Sequence, residues 1–336
     1  MKRYVLNISD LQDIAPQFKS ESGTKILKYL FNLCKINEIN ALYDRSCDYR
    51  GAAFCNSIID DLDITCQIDH EEKLDNLPEG AFITVSNHPF GALDGVILIK
   101  LLANRRPDYK VMVNWILNHV EAMSDNFITV DPYSNPDRRK VSLNGIKEAL
   151  LQAKNGHPLG FFPAGAVSKL RWDLRIEDRE WQSSIIRLIQ QLKKPVVPIF
   201  FHGHNSLFYT ILRIFSWKMC AMRLPAEVFK KEHKTIRISV GDAISPKTLA
   251  QYPTIKELEK FLKKETYKLK NNNYKFYKGI RFSDCYTKTD SFSSVVAKSL
   301  PIKRSHNHTA PDFAPFKTYP NLFLYRDKSK IKLIGF

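Results

Sequence analysis

Apolar residues recur at helical spacing early in the chain. Ile26, Leu27, Leu30, Phe31, Leu33 and Cys34 follow Thr24 at i, i+3, i+4 and i+7, which predicts a helix capped by Thr24. A second short helix is expected from Glu38. The period then changes to two at Leu62, Ile64, Cys66 and Ile68, the mark of a half-buried strand, and Pro78-Glu79-Gly80 turns the chain into a strand over 81–86. Beyond it the two patterns alternate. Helices are expected over 94–104, 115–123, 136–154, 182–193 and 255–271, with strands over 109–113, 127–131, 158–162, 196–201 and 235–240 and a long apolar segment from 201 to Leu224. Such alternation predicts an α/β fold: a mixed central sheet flanked by helices, over 62–276, preceded by an N-terminal helical region over 1–61. Ligand-binding groups are then expected on loops at the strand ends.

After Tyr277 the pattern fails, and Ser, Thr, Pro and Asn accumulate. From Arg281 to Phe336 ten Lys or Arg stand against four Asp, a net of 10 − 4 = +6. We read 277–336 as an appended basic tail, disordered or docked on the core through its aromatic residues, with no chemistry of its own.

Composition adds one strong fact. The 336 residues, 44% hydrophobic and 26% charged, are those of an ordinary folded protein, but the formal net charge is +16. A protein this basic is drawn to nucleic acid, an anionic membrane or a phosphate-rich ligand. The cations are spread along the chain, as at Arg105, Arg106, Arg138, Arg139, Lys140, Arg171, Lys193, Lys194, Lys230 and Lys231. Neither an aromatic and basic RNA-binding segment nor a zinc-finger spacing accompanies them, so no nucleic-acid partner is expected. Six cysteines show no CxxC pair, which points to free thiols in a reducing compartment rather than a metal or disulfide framework. The N-terminal stretch is interrupted by Asn7, Asp10 and Asp13, and no apolar run of about eighteen residues occurs, so neither a classical export signal nor a membrane span is expected.

Against this background the segment Asn87-His88-Pro89-Phe90-Gly91-Ala92-Leu93-Asp94-Gly95 carries candidate chemistry. A carboxylate near a histidine can fix the imidazole tautomer and stabilise the imidazolium formed when the ring takes a proton. The bland reading of the pair alone is a satisfied polar contact or a helix cap.

Three further blocks follow in order: Phe127-Ile128-Thr129-Val130-Asp131, then Phe162-Pro163-Ala164-Gly165-Ala166-Val167-Ser168-Lys169, then Val196-Val197-Pro198-Ile199-Phe200-Phe201 running into His202-Gly203-His204-Asn205-Ser206. Together with Asn87, His88 and Asp94 these blocks resemble the lysophospholipid and glycerol-phosphate acyltransferase (PlsC-like) superfamily across roughly residues 75–245. Three departures stand out. Five residues rather than four separate His88 from Asp94, Pro132 replaces the basic residue after Asp131, and Ala164 replaces a glutamate of the family's third block. The wording NHPFGxLDG, FPAGxVS and FHGxNS is similar to the ornithine-lipid and hemolysin-like O-acyltransferase branch.

The resemblance implies transfer of a fatty acyl group from acyl-CoA or acyl carrier protein, as donor substrate, to the hydroxyl of a lyso-aminolipid or lysophospholipid, with no cofactor. His88 would act as general base, oriented by Asp94. Asn87, Arg138, Arg139, Phe162, Pro163, Ala164, Gly165, Ser168, Lys169 and Arg171 would bind substrate, the backbone around 162–166 offering N–H groups to a phosphate or oxyanion. Lysophosphatidic acid is a less favoured acceptor, because Ala164 lacks the carboxylate associated with it. The alternatives are synthesis of phosphatidic acid, or a non-catalytic basic protein that binds membrane or nucleic acid.

His202 and His204 lack a third ligand nearby, so no metal is expected. Leu207, Phe208, Ile211, Leu212, Phe215, Met219 and Met222 fall on a helical stripe beside Trp217, with Arg213, Lys218 and Arg223 interspersed. This suits a helix lying on an anionic membrane, with Phe208, Phe215 and Trp217 as contacts; the other reading is a helix buried on the sheet. The expected location is peripheral, on the cytoplasmic face of the cell membrane.

Overall fold

The computed structural model describes residues 2–14, 16–131, 139–173, 175–215 and 217–271, and beyond them strands at 276–277, 280–281, 313–316, 319–327 and 330–335. It divides into two compact units, Met1–Lys270 and Asn271–Phe336.

In the first unit, helices α1 (Ile8–Ile14), α2 (Glu21–Leu33), α3 (Ile36–Ser46) and α4 (Gly51–Asp61) precede the first strand. Helix α2 begins earlier than its apolar spacing suggested, because the Ser20 hydroxyl, not that of Thr24, accepts the Gly23 N–H as cap. There follow β1 (Thr65–Asp69), α5 (Glu72–Asp75), β2 (Ile83–Ser86), α6 (Ala92–Ala103), β3 (Lys110–Asn114), β4 (Phe127–Val130), α7 (Arg139–Lys154) and β5 (Leu159–Phe161). A small hairpin of β6 (Lys169–Leu170) and β7 (Ile176–Glu177) leads to α8 (Ser183–Leu192) and β8 (Val196–Phe201). Then come α9 (Leu207–Phe215), α10 (Trp217–Phe229), β9 (Thr235–Val240), α11 (Pro246–Leu249) and α12 (Ile255–Lys268).

Seven strands form one sheet in the order β1-β9-β8-β2-β5-β3-β4. Neighbours run parallel except β8 and β9, so the fold is α/β with a mixed, mostly parallel sheet. Strands β2 and β8 are buried along their whole length, which explains why they read as unbroken apolar runs rather than alternating ones. One face of the sheet packs on Phe54, Ile58, Ile97 and Leu98 of α4 and α6. The other packs on Ala149, Ile186, Ile189, Leu258 and Leu262 of α7, α8 and α12. Because α4 covers its outer side, α6 is buried almost all round, from Leu93 to Ala103. That burial fixes the helix whose N-terminus holds Asp94.

The helix expected over 115–123 is absent. Two 3₁₀ segments, Trp115–His119 and Glu121–Asn126, stand there, because the Asn114 side chain caps the Ile116 N–H and Val120, at ψ 73°, breaks the run.

In the second unit, where the sequence pattern gave no element, β10 (Phe276–Tyr277) pairs with β11 (Ile280–Arg281), and β12 (Phe313–Phe316), β13 (Tyr319–Asp327) and β14 (Lys330–Gly335) form an antiparallel sheet.

Candidate active site

Strands β8, β2 and β5 are neighbours and parallel, so their C-terminal ends at Phe201, Ser86 and Phe161 release three loops at one edge of the sheet. These loops carry the first, third and fourth sequence blocks. Asn87 ties two of them together: its Nδ2 donates to the Phe201 carbonyl at 2.8 Å and its Oδ1 accepts the Phe201 N–H at 2.7 Å.

The chain after Asn87 bends through Gly91, at φ +90°, into α6. Only glycine adopts that conformation without strain, and a Cβ there would stand 3.0 Å from Leu224 Cδ2. The bend lies within the five residues between His88 and Asp94. It also places Asp94 in the first turn of α6, where its Oδ2 accepts the N–H groups of Phe90 at 2.9 Å and Gly91 at 3.0 Å. The same oxygen lies 2.9 Å from His88 Nδ1. Asp94 is fully buried, whereas the His88 side chain is 19% exposed with its Nδ1 buried, so the exposure lies elsewhere on the side chain. Burial pushes the Asp94 carboxyl up from its ordinary range, opposed by His88 and the two amides. The Phe162 ring, from the third block, lies against the imidazole with centroids 4.4 Å apart.

The third loop is held from behind by the segment preceding α8. Gly165, at φ +60°, donates its N–H to the Phe162 carbonyl at 2.9 Å; Arg179 Nε donates to the Ala164 carbonyl at 2.6 Å and the Gln182 N–H to that of Pro163 at 2.8 Å. Between them stands Asp178, a buried carboxylate that the sequence reading missed. Its Oδ1 accepts the Ser168 hydroxyl at 2.6 Å and the His88 N–H at 3.2 Å, and its Oδ2 accepts Trp181 Nε1 at 3.2 Å. The Ser168 N–H in turn reaches the His88 carbonyl at 2.8 Å. Burial pushes the Asp178 carboxyl up, opposed by these donors. Asp178→Ala would strand three buried donors, and we expect it to lower stability by about 2–4 kcal/mol in urea unfolding. Asp178→Asn keeps a carbonyl acceptor and is expected to cost about half as much. An alanine variant as stable as the parent would show that the two loops hold together without this carboxylate.

A family model described as Acyltransferase matches residues 10–274. The chain belongs to the acyltransferase family. A protein named lyso-glycine lipid O-acyltransferase from Bacteroides thetaiotaomicron is 30% identical over 253 residues, 73% of this acyltransferase and 89% of that relative. One of the same name from Phocaeicola vulgatus is 28% identical over 288 residues, 80% of this chain and all of that relative. The crystal structure of the 1-acyl-sn-glycerophosphate (LPA) acyltransferase PlsC from Thermotoga maritima is similar over 75% of this chain and 90% of that one, at 13% identity and a TM-score of 0.45.

In this acyltransferase the sequence-predicted site residues divide by place. His88, Asp94 and Phe162 come together at the sheet edge. Asn87, Pro163 and Ala164 are buried, and the Asn87 carboxamide is bonded to the Phe201 backbone. The Gly165 N–H, expected to be free for an anion, is taken by Phe162, and the Ser168 hydroxyl, expected on substrate, is donated to Asp178. Lys169 and Arg171 are exposed on the β6–β7 hairpin. Asp131, from the second block, is buried at the end of β4, its N–H donated to the Ser142 hydroxyl. Arg138 and the side chains of Arg139, Phe215 and Trp217 lie outside the described residues.

The apolar stripe after β8 is two helices, α9 and α10. His202 Nε2 meets the Ser239 hydroxyl at 2.7 Å, and that hydroxyl donates to the buried Asp69 at 2.6 Å; burial, then Arg237, pushes His202 down to about 4. His204 Nδ1 faces the Asn205 carbonyl at 2.7 Å. Among the described residues no group of three His, Cys, Asp or Glu is placed to hold a metal.

Proposed function

We propose that this acyltransferase moves a fatty acyl group from an acyl thioester, carried by CoA or acyl carrier protein, to the hydroxyl of a lyso-aminolipid, with His88 as general base. The observation that carries the reading is the contact of 2.9 Å between His88 Nδ1 and the fully buried Asp94. It orients the ring so that Nδ1 bears the proton and Nε2 is free to accept one. The acceptor hydroxyl gives its proton to Nε2 as its oxygen attacks the thioester carbon. The tetrahedral adduct collapses with cleavage of the C–S bond, and the proton on Nε2 passes to the departing thiolate. No acyl-enzyme is required.

The class of acceptor is supported by two features. The relatives at 30% and 28% identity are both named for a lyso-glycine lipid. Position 164 offers a buried methyl group and no carboxylate. The test is purified protein with lyso-glycine lipid, lysophosphatidic acid and lysophosphatidylethanolamine, each with acyl-CoA and acyl carrier protein donors, read by mass spectrometry. O-acylated glycine lipid is the expected main product. Turnover of lysophosphatidic acid at an equal or higher rate would overturn the acceptor assignment, and transfer to none of them the activity.

A further inference from the structure

Helix α9 is oriented the wrong way round for a helix facing water. Its cation points inward: Arg213 donates to the backbone carbonyls of Val167 and Ser168, the latter at 2.9 Å. Tyr209 and Thr210 are buried beside it. Its large apolar side chains point outward, with Leu207 69%, Phe208 57%, Ile211 45% and Ile214 67% exposed, at spacings that place them on one face. Helix α9 packs against β6, and at the tip of the hairpin that β6 begins, Trp172 is entirely exposed.

The charge around this face leans positive. The hairpin over 169–177 holds Lys169, Arg171 and Arg175 against Asp173 and Glu177, a net of 3 − 2 = +1; Asp173 is paired with Arg175, and Glu177 lies across the hairpin from Lys169. Helix α9 has no acid, and the acid of α10, Glu227, is buried and paired with Lys230. A second copy of the chain would bring the same cations to the face. So would the unit Asn271–Phe336, with twelve Lys or Arg against four Asp, a net of 12 − 4 = +8. An anionic bilayer complements both the apolar groups and the charge.

We propose that Leu207, Phe208, Ile211 and Ile214 of α9, with Trp172, form a docking face for an anionic lipid surface. Arg213 ties this face to the loop that carries Ser168 and leans on His88. Docking there would set the His88 site at the level of the lipid head groups, where the hydroxyl of a lyso-lipid stands while its chain stays in the bilayer. That consequence rests on the proposed lyso-lipid acceptor; the docking itself does not.

The test is co-sedimentation of the full-length chain with vesicles of phosphatidylcholine containing phosphatidylglycerol, and of phosphatidylcholine alone. The parent is expected to bind the anionic vesicles and to bind neutral ones more weakly. Leu207→Glu combined with Ile214→Glu should weaken vesicle binding by about tenfold or more, and Trp172→Glu, at an exposed tip where folding is not at stake, by a smaller factor. Acyl transfer in the double variant should fall with acceptor in vesicles yet stay within about twofold with a monomeric short-chain acceptor. No binding by the parent, binding unchanged in both variants, or a parent dimer in sedimentation that the double variant dissociates would overturn the docking face. A parent that docks but acylates no acceptor would leave docking standing and refute the acyl-transfer reading instead.

Discussion

Replacing His88 by alanine is expected to lower acyl transfer by about a thousandfold or more while moving the unfolding midpoint little. The rate effect follows from chemistry: a neutral hydroxyl is a poor nucleophile toward a thioester, and no other described imidazole shares this loop to take its proton. His202 and His204 are held by Ser239 and by the Asn205 carbonyl. The small stability effect follows from geometry. Asp94 keeps its two amide donors, and the lost ring is partly exposed, so the change is on the order of 1 kcal/mol through the missing stack on Phe162. Steady-state rates with the acceptor of the parent enzyme, beside thermal unfolding of both proteins, check the two halves separately. A variant that retains more than about a tenth of the activity removes His88 from the chemistry.

That the histidine and aspartate belong together was legible in the chain because one short loop joins the strand before His88 to the helix whose first turn holds Asp94. Strands 196–201 and 235–240 were legible from local pattern as well: the first is an apolar run, the second alternates polar and apolar residues, and the observed limits are the same. Where meaning depends on distant packing, the chain is silent. Helix α4 begins Gly51-Ala52-Ala53 and shows only Phe54, Cys55, Ile58 and Ile59 as an apolar face, yet it is what buries α6. Asp178 stands in no motif, between Glu177 and Arg179 in a charged stretch that reads as solvated. Its role exists only because the β6–β7 hairpin folds back and brings it beneath Ser168 and His88. Equally hidden is what Asn87 and Ser168 do: polar residues of the first and third blocks, they look substrate-facing in one dimension and in three dimensions fasten one loop to the next.

Asp94 offers a sharper division between orientation and charge. Its Oδ2 accepts the amides of Phe90 and Gly91 and stands 2.9 Å from His88 Nδ1, whereas Oδ1 is buried without a hydrogen-bond partner among the described residues. In Asp94→Asn the carboxamide oxygen can occupy the Oδ2 position, keep both amide donors and the close approach to His88 Nδ1, and so hold His88 in the same tautomer. What disappears is the negative charge that, in the proposed mechanism, stabilises the imidazolium as the hydroxyl proton moves, and the new amide N–H group is left in a buried place with no acceptor. We therefore expect kcat to fall by about a hundredfold with KM nearly unchanged, and stability to fall by about 1–3 kcal/mol. Asp94→Ala loses the orientation as well and strips the first turn of α6 of its acceptor. Its kcat should fall by a further factor of about ten and its stability by about 2–4 kcal/mol. Equal kcat losses in the two variants would mean that charge alone matters and that the ring needs no guidance. An asparagine variant as fast as the parent would mean that Asp94 acts only as the cap of α6, and that His88 works without a carboxylate behind it.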